Sequence, residues 1–92
     1  VVGIDAGLNP WMAHGNIHIG TALLDEAGLS TAETLGAATS AAARVCGLGH
    51  RKGLLQDGYD ADLIVVEGDL QNDLSALQSV RMVVLAGLPV RI

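Results

Sequence analysis

The sequence has no phenylalanine, one tryptophan and one tyrosine, so it lacks the rings that bury most area per side chain. Half of its residues are hydrophobic all the same, and 12 of the 92 are glycine. Alanine and glycine take much of the place that bulkier groups would fill. A core made from such residues is thin, and helices rich in them pack closely against a larger body. The length suits one small domain. The composition predicts a piece of something bigger.

Basic residues are scarce too. Five Lys and Arg stand against ten Asp and Glu, a net charge of −5, and the largest basic cluster is the pair Arg51-Lys52. No stripe exists to neutralise phosphates, so a nucleic-acid partner is not expected. No apolar run approaches the ~20 residues that span a bilayer. The opening Val1-Val2-Gly3-Ile4-Asp5 shows no basic region of a signal peptide, so no membrane partner is expected. The single Cys46 has no second cysteine to pair with, which points to a reducing, cytoplasmic setting.

Local patterns divide the chain near Leu48 to Gly53 into a helical half and a β half. Val1 to Ile4 is a short apolar run that reads as a buried strand ending at Asp5-Ala6-Gly7. Asn9-Pro10 signals a turn. From Asn16 to Ala27, Ile17, Leu24 and Ala27 recur at helical spacing, and Gly28 supplies a left-handed stop. Ser30-Thr31-Ala32-Glu33 fits a capping box, in which Ser30 and Glu33 satisfy each other's backbone N–H groups. The stripe Leu35, Ala38, Ala42 and Val45 then predicts one helix over residues 31–46, closed by Gly47. Leu63 to Val66 and Met82 to Leu85 read as buried strands. Between them, Asn72 to Gln78 reads as one or two helical turns. Gly87-Leu88-Pro89 reads as a turn before a last strand, which Pro89 confines to an edge or a strand start. The residues alone leave a small α+β domain open as a description.

The order of these signals resembles the amidohydrolase superfamily. Gly3-Ile4-Asp5-Ala6-Gly7 is similar to the end of that family's eighth barrel strand. Ala27-Gly28-Leu29-Ser30-Thr31-Ala32-Glu33-Thr34-Leu35 and Ala37-Ala38-Thr39-Ser40-Ala41-Ala42-Ala43 resemble its last helices. Leu48-Gly49, followed by Gly53-Leu54-Leu55-Gln56-Asp57-Gly58-Tyr59-Asp60-Ala61-Asp62-Leu63, resembles the approach to its C-terminal β-sandwich. Val80-Arg81-Met82-Val83-Val84-Leu85-Ala86-Gly87 resembles the closing strand. Within the superfamily, Asp5-Ala6-Gly7 followed by His14-Gly15 is most like imidazolonepropionase and the prolidase-like and carboxypeptidase-like peptidases. The chain departs from the pattern in two places. Ser40 and Ala41 stand where the family helix often has Asn, and Asp57 stands where Pro or Lys often precedes glycine.

The resemblance implies an α/β fold, the C-terminal end of a (β/α)8 barrel running into part of a small β-sandwich. Residues 1–52 would be the terminal strand and helices, and 53–92 strands of the sandwich. It implies a metal-dependent hydrolase of amide or other C–N bonds, with a divalent metal, zinc by preference, and a small-molecule or dipeptide-like substrate. In such barrels catalytic groups sit at the C-terminal ends of strands. Asp5 would bind the metal or orient its water, and carry a proton to the leaving nitrogen. His14 would line the substrate mouth. The family's remaining ligands lie on earlier strands, so this chain alone is expected to hold no metal and to be inactive.

Each assignment has a blander counterpart. Asp5 on its own chemistry reads as well as a polar strand terminus or cap. His14 and His18 are four apart, which would put both on one helix face, but no Glu lies between them to make the zincin motif. His18 reads as a helix-surface residue and His50 as a loop residue. Cys46 reads as packing, and Asp60 and Asp62 as a solvated turn. A non-catalytic packing or dimerisation module is the competing function. Unpaired strand edges and apolar runs predict a homo-oligomer.

Overall fold

The computed structural model describes residues 1–3, 7, 10 and 14–90. In chain order these form α1 (Ile17–Glu26), α2 (Thr31–Ala38), α3 (Ser40–Val45), β1 (Leu63–Val66), a 3₁₀ segment (Leu74–Gln78), β2 (Val80–Leu85) and β3 (Leu88–Val90). Helices come first and an antiparallel sheet follows. The 3₁₀ segment returns to pack on α1.

Glycines and one capping box set the helix ends. After α1, Gly28 takes φ +103, its N–H donates to Asp25 O at 3.0 Å, and Leu29 N–H donates to Leu24 O at 3.2 Å. That bond pair is a Schellman motif. The same pair closes α3, where Gly47 N–H donates to Arg44 O at 3.0 Å and Leu48 N–H to Ala43 O at 2.8 Å. At the start of α2, Glu33 N–H donates to Ser30 Oγ and Ser30 N–H to Glu33 Oε1, both at 3.1 Å.

The single helix expected over residues 31–46 is instead two. Thr39 leaves helical geometry at φ −125, ψ −91, between α2 and α3. Its hydroxyl donates back to Leu35 O at 2.7 Å, a bond that bends helices. Gly53 also presses its backbone into the bend. A β-carbon on Gly53 would lie 2.8 Å from Ser40 Cα and 2.9 Å from both Ala43 Cβ and Thr39 O. The periodicity of small residues runs through Thr39 without a break, so nothing in it marks this interruption.

The predicted stripe is not the buried one. Leu35, Ala38 and Ala42 are only half-buried, and Val45 is 72% exposed. Among the described residues, the buried ones are Thr21, Thr34, Ala37 and Ala76. Thr21 Oγ1 donates to His18 O at 2.7 Å, whereas Thr34 Oγ1 has no partner among the described residues. Small residues thus take the most buried places, while Leu24, Leu29, Leu35 and Leu74 are half-buried.

Val1 to Ile4 reads as a strand, but its described residues, 1–3, are not in a sheet. A strand needs a laddered neighbour. Val2 N–H bonds to Ala37 O instead, at 3.3 Å, meeting one of the carbonyls that the end of α2 leaves without a helical partner.

The sheet order is β1-β2-β3, antiparallel throughout. Leu63 pairs with Val84 and Val65 with Met82, and a register shift follows so that Val66 pairs with Val80. β2 and β3 meet through Leu85 and Leu88, so their turn is Ala86-Gly87, one residue earlier than expected. Both turn residues have positive φ, 51° and 80°, as a two-residue I′ hairpin requires. Pro89 lies in β3, the edge strand, where its missing N–H costs no ladder bond.

Candidate functional site

Asp5, the candidate catalytic residue and metal ligand, lies outside the described residues. Its near neighbour Gly7 is described, with φ +89, and a β-carbon there would sit 3.1 Å from His14 Nε2 and 3.6 Å from His14 Cε1. The exposed imidazole of His14 therefore rests against the backbone two residues beyond Asp5. Gly7 leaves the ring room that any other residue would occupy.

His14 precedes α1 and sits in a turn, so it does not share a helix face with His18. His18 lies on α1 and is half-buried rather than a plain surface residue. It lines an open cleft of about 350 Å³ between α1 and the 3₁₀ segment, with Ile19, Leu23, Leu74 and Gln78. Among the described residues, no group of three or more His, Cys, Asp or Glu is placed to hold a metal ion. Cys46, read as packing, is exposed at the C-cap of α3.

Asp60 and Asp62, read as a solvated turn, are instead held in a charge cluster with Arg51 and Lys52. Arg51 Nη2 lies 2.7 Å from Asp60 Oδ2, and Lys52 Nζ lies 2.9 Å from the same oxygen and 2.5 Å from Asp62 Oδ2. Tyr59 OH donates to Gly49 O at 2.8 Å, and Asp60 N–H to Arg51 O at 2.8 Å. The loop from Gly49 to Asp62 is thus zipped at its base. A basic pair and an acidic pair flanking the glycine-bounded segment Gly53 to Gly58 was the available sequence signal.

The electrostatics follow the contacts. The Arg51 guanidinium, then Lys52, holds the Asp60 carboxyl below its ordinary value. Lys52, then the Ala86 N–H, does the same for Asp62. Arg51 is raised by Asp60, and Lys52 by Asp62 and then Asp60. Glu33 is lowered by the Ser30 backbone N–H and hydroxyl, and Asp73 by Ser75. These shifts belong to caps and loop closure.

No helix among the described residues is long and apolar enough to cross a membrane. The sequence model of the amidohydrolase family matches residues 1–90. The structure is similar to that of a candidate prolidase from Bifidobacterium longum, with 37% identity and a TM-score of 0.90, over 97% of this chain and 22% of that one. It is also similar to a Xaa-Pro dipeptidase whose crystal structure has methionine bound in the active site. There the identity is 28% and the TM-score 0.81, over 86% of this chain and 20% of that one. The chain therefore spans about a fifth of the length of these solved relatives. No curated protein matches it.

Proposed function

The chain belongs to the amidohydrolase family, and from that premise we propose that it is the C-terminal part of a metal-dependent hydrolase of amide or other C–N bonds. The observation behind this is the family match over residues 1–90, joined to the likeness to the candidate prolidase. That likeness and the Xaa-Pro dipeptidase favour a dipeptide-like substrate. In this reading residues 1–52 close a (β/α)8 barrel and residues 53–92 contribute strands to a β-sandwich. Alone, the chain is inactive.

Asp5 is assigned the proton transfers. Its carboxylate takes a proton as water attacks the scissile carbonyl, and delivers it to the nitrogen as the C–N bond breaks. His14 is assigned to the substrate mouth, which its seat against Gly7 supports. A divalent metal, zinc in this reading, would polarise the carbonyl and acidify the water, with Asp5 as this chain's ligand. The described residues form no donor set of their own, so the metal's other ligands would come from outside them. A reducing, cytoplasmic setting and a homo-oligomer belong to the same proposal. The exposed free thiol of Cys46 supports the first.

The second reading, a packing or dimerisation module, is favoured by one feature: Leu55 and Leu88 are 83% and 71% exposed. The test is hydrolysis of a Xaa-Pro dipeptide by the protein that contains this chain, before and after chelation. Activity lost on chelation and restored by zinc supports the hydrolase. A zinc-loaded protein that cleaves no dipeptide contradicts it.

A further inference from the structure

Lys52 sits between two carboxylates that are two residues apart, and one of these also holds a distant turn. The Lys52 ammonium contacts Oδ2 of both Asp60 and Asp62. The second oxygen of Asp62, Oδ1, accepts the Ala86 N–H at 2.8 Å. Beside it, Gly87 N–H donates to Ala61 O at 3.0 Å. A single carboxylate therefore links Lys52 to the β2–β3 turn, 24 residues further along the chain. Ala86 is the one non-glycine residue with positive φ among those described, a conformation that its β-carbon disfavours. Its amide points at the carboxylate that Lys52 orients.

We propose that Lys52 is the strut of a charge-dependent latch that seats the β2–β3 turn, through Asp62, on the loop following α3. Without the ammonium, Asp60 and Asp62 are like charges in close proximity, and Arg51 reaches only Asp60. Asp62 then swings toward water, and Ala86 N–H loses its charge-assisted acceptor. The β2–β3 hairpin keeps its own pairing of Val83 with Val90 and Leu85 with Leu88, so it survives while its seat opens. The same loop is wedged into the α2–α3 bend by Gly53. The position of the sheet on the helical half thus responds to the charge of one lysine.

Amide hydrogen exchange by NMR on the protein that contains this chain tests this, comparing the native protein with Lys52→Met and Lys52→Arg. In Lys52→Met, exchange at Ala86 and Gly87 should rise by about tenfold or more, while Val83 and Val84 stay within about threefold. Lys52→Arg, which keeps the charge, should hold Ala86 close to native. Unchanged exchange at Ala86 in Lys52→Met would mean that Asp62 seats the turn unaided and would overturn the proposal. So would equal acceleration at all four amides, which would make Lys52 a global stabiliser. An arginine variant as open as the methionine one would also count against it. Lys52→Gln gives the same reading if Lys52→Met does not fold.

Discussion

Replacing Gly53 by alanine perturbs the junction on which the helical half and the sheet both depend. Two costs can be separated. Gly53 has φ +95, and placing an L-residue in left-handed geometry costs about 1–2 kcal/mol. The new methyl group would also meet Ser40 Cα at 2.8 Å, Ala43 Cβ at 2.9 Å and Thr39 O at 2.9 Å. Two of these atoms are backbone and the third is a Cβ, so none can rotate away. Overpacking of that kind adds about 1–3 kcal/mol. Gly58 provides the control, since its φ is +85 and nothing lies within 4 Å of a β-carbon there. Gly58→Ala should show only the conformational cost. The small gain from a stiffer unfolded chain is common to both variants and cancels in the difference. Urea unfolding of the two variants should therefore place Gly53→Ala about 1–3 kcal/mol below Gly58→Ala, at unchanged m-value. Equal stabilities would refute the wedge and leave the bend at Thr39 to its side-chain bond alone.

Two further outcomes are expected from the same kind of measurement. Thr34→Val removes a buried hydroxyl that lacks a partner among the described residues and should stabilise by about 1 kcal/mol, whereas Thr21→Val loses a real bond and should destabilise by a similar amount; the same sign for both would contradict the burial assignment. Asp60 and Asp62 titrate below their ordinary values in the folded chain, so their stabilisation is complete above the unfolded value of about 4 and is lost as pH falls through the folded values. Arg51 and Lys52 are shifted upward, so theirs is complete below their ordinary values and is lost only in strong alkali. The urea midpoint should fall below pH ~4, and more steeply in the native chain than in Lys52→Met; parallel curves would show that Lys52 contributes nothing to the cluster.

Much of the local structure was legible because it rests on neighbours in sequence. Ser30 and Glu33 are three apart and satisfy each other, and Gly28 and Gly47 end helices by their own conformational freedom. Leu63 to Val66 forms a strand as read, since a short β-branched run has few other uses, but it is not a buried one, for Ile64 and Val65 are exposed. What escaped notice depends on residues far apart. The break at Thr39 lies against Gly53, which is far from it in sequence. The burial of Thr34 in place of Leu35 depends on which faces neighbouring elements cover. Asp62 reads as a turn residue until Lys52 and Ala86 are brought to its two oxygens. The turn moved by one residue because Ala86 accepts a positive φ that its type seldom adopts. At the candidate site, the ring of His14 rests on Gly7. Its place outside α1 was legible, since the helical spacing begins only after Gly15.

The assignment of Asp5 as the group that moves the proton is the central claim, and Asp5→Asn in the protein containing this chain tests it most directly. Asparagine keeps the size and removes the basic site. Turnover should fall by about 10²–10⁴ or more, since general acid–base steps contribute on that order. KM should move far less, and metal content, measured alongside, separates lost proton transfer from lost metal. Turnover within a few-fold of native, at equal metal content, would make Asp5 a structural terminus and contradict the account.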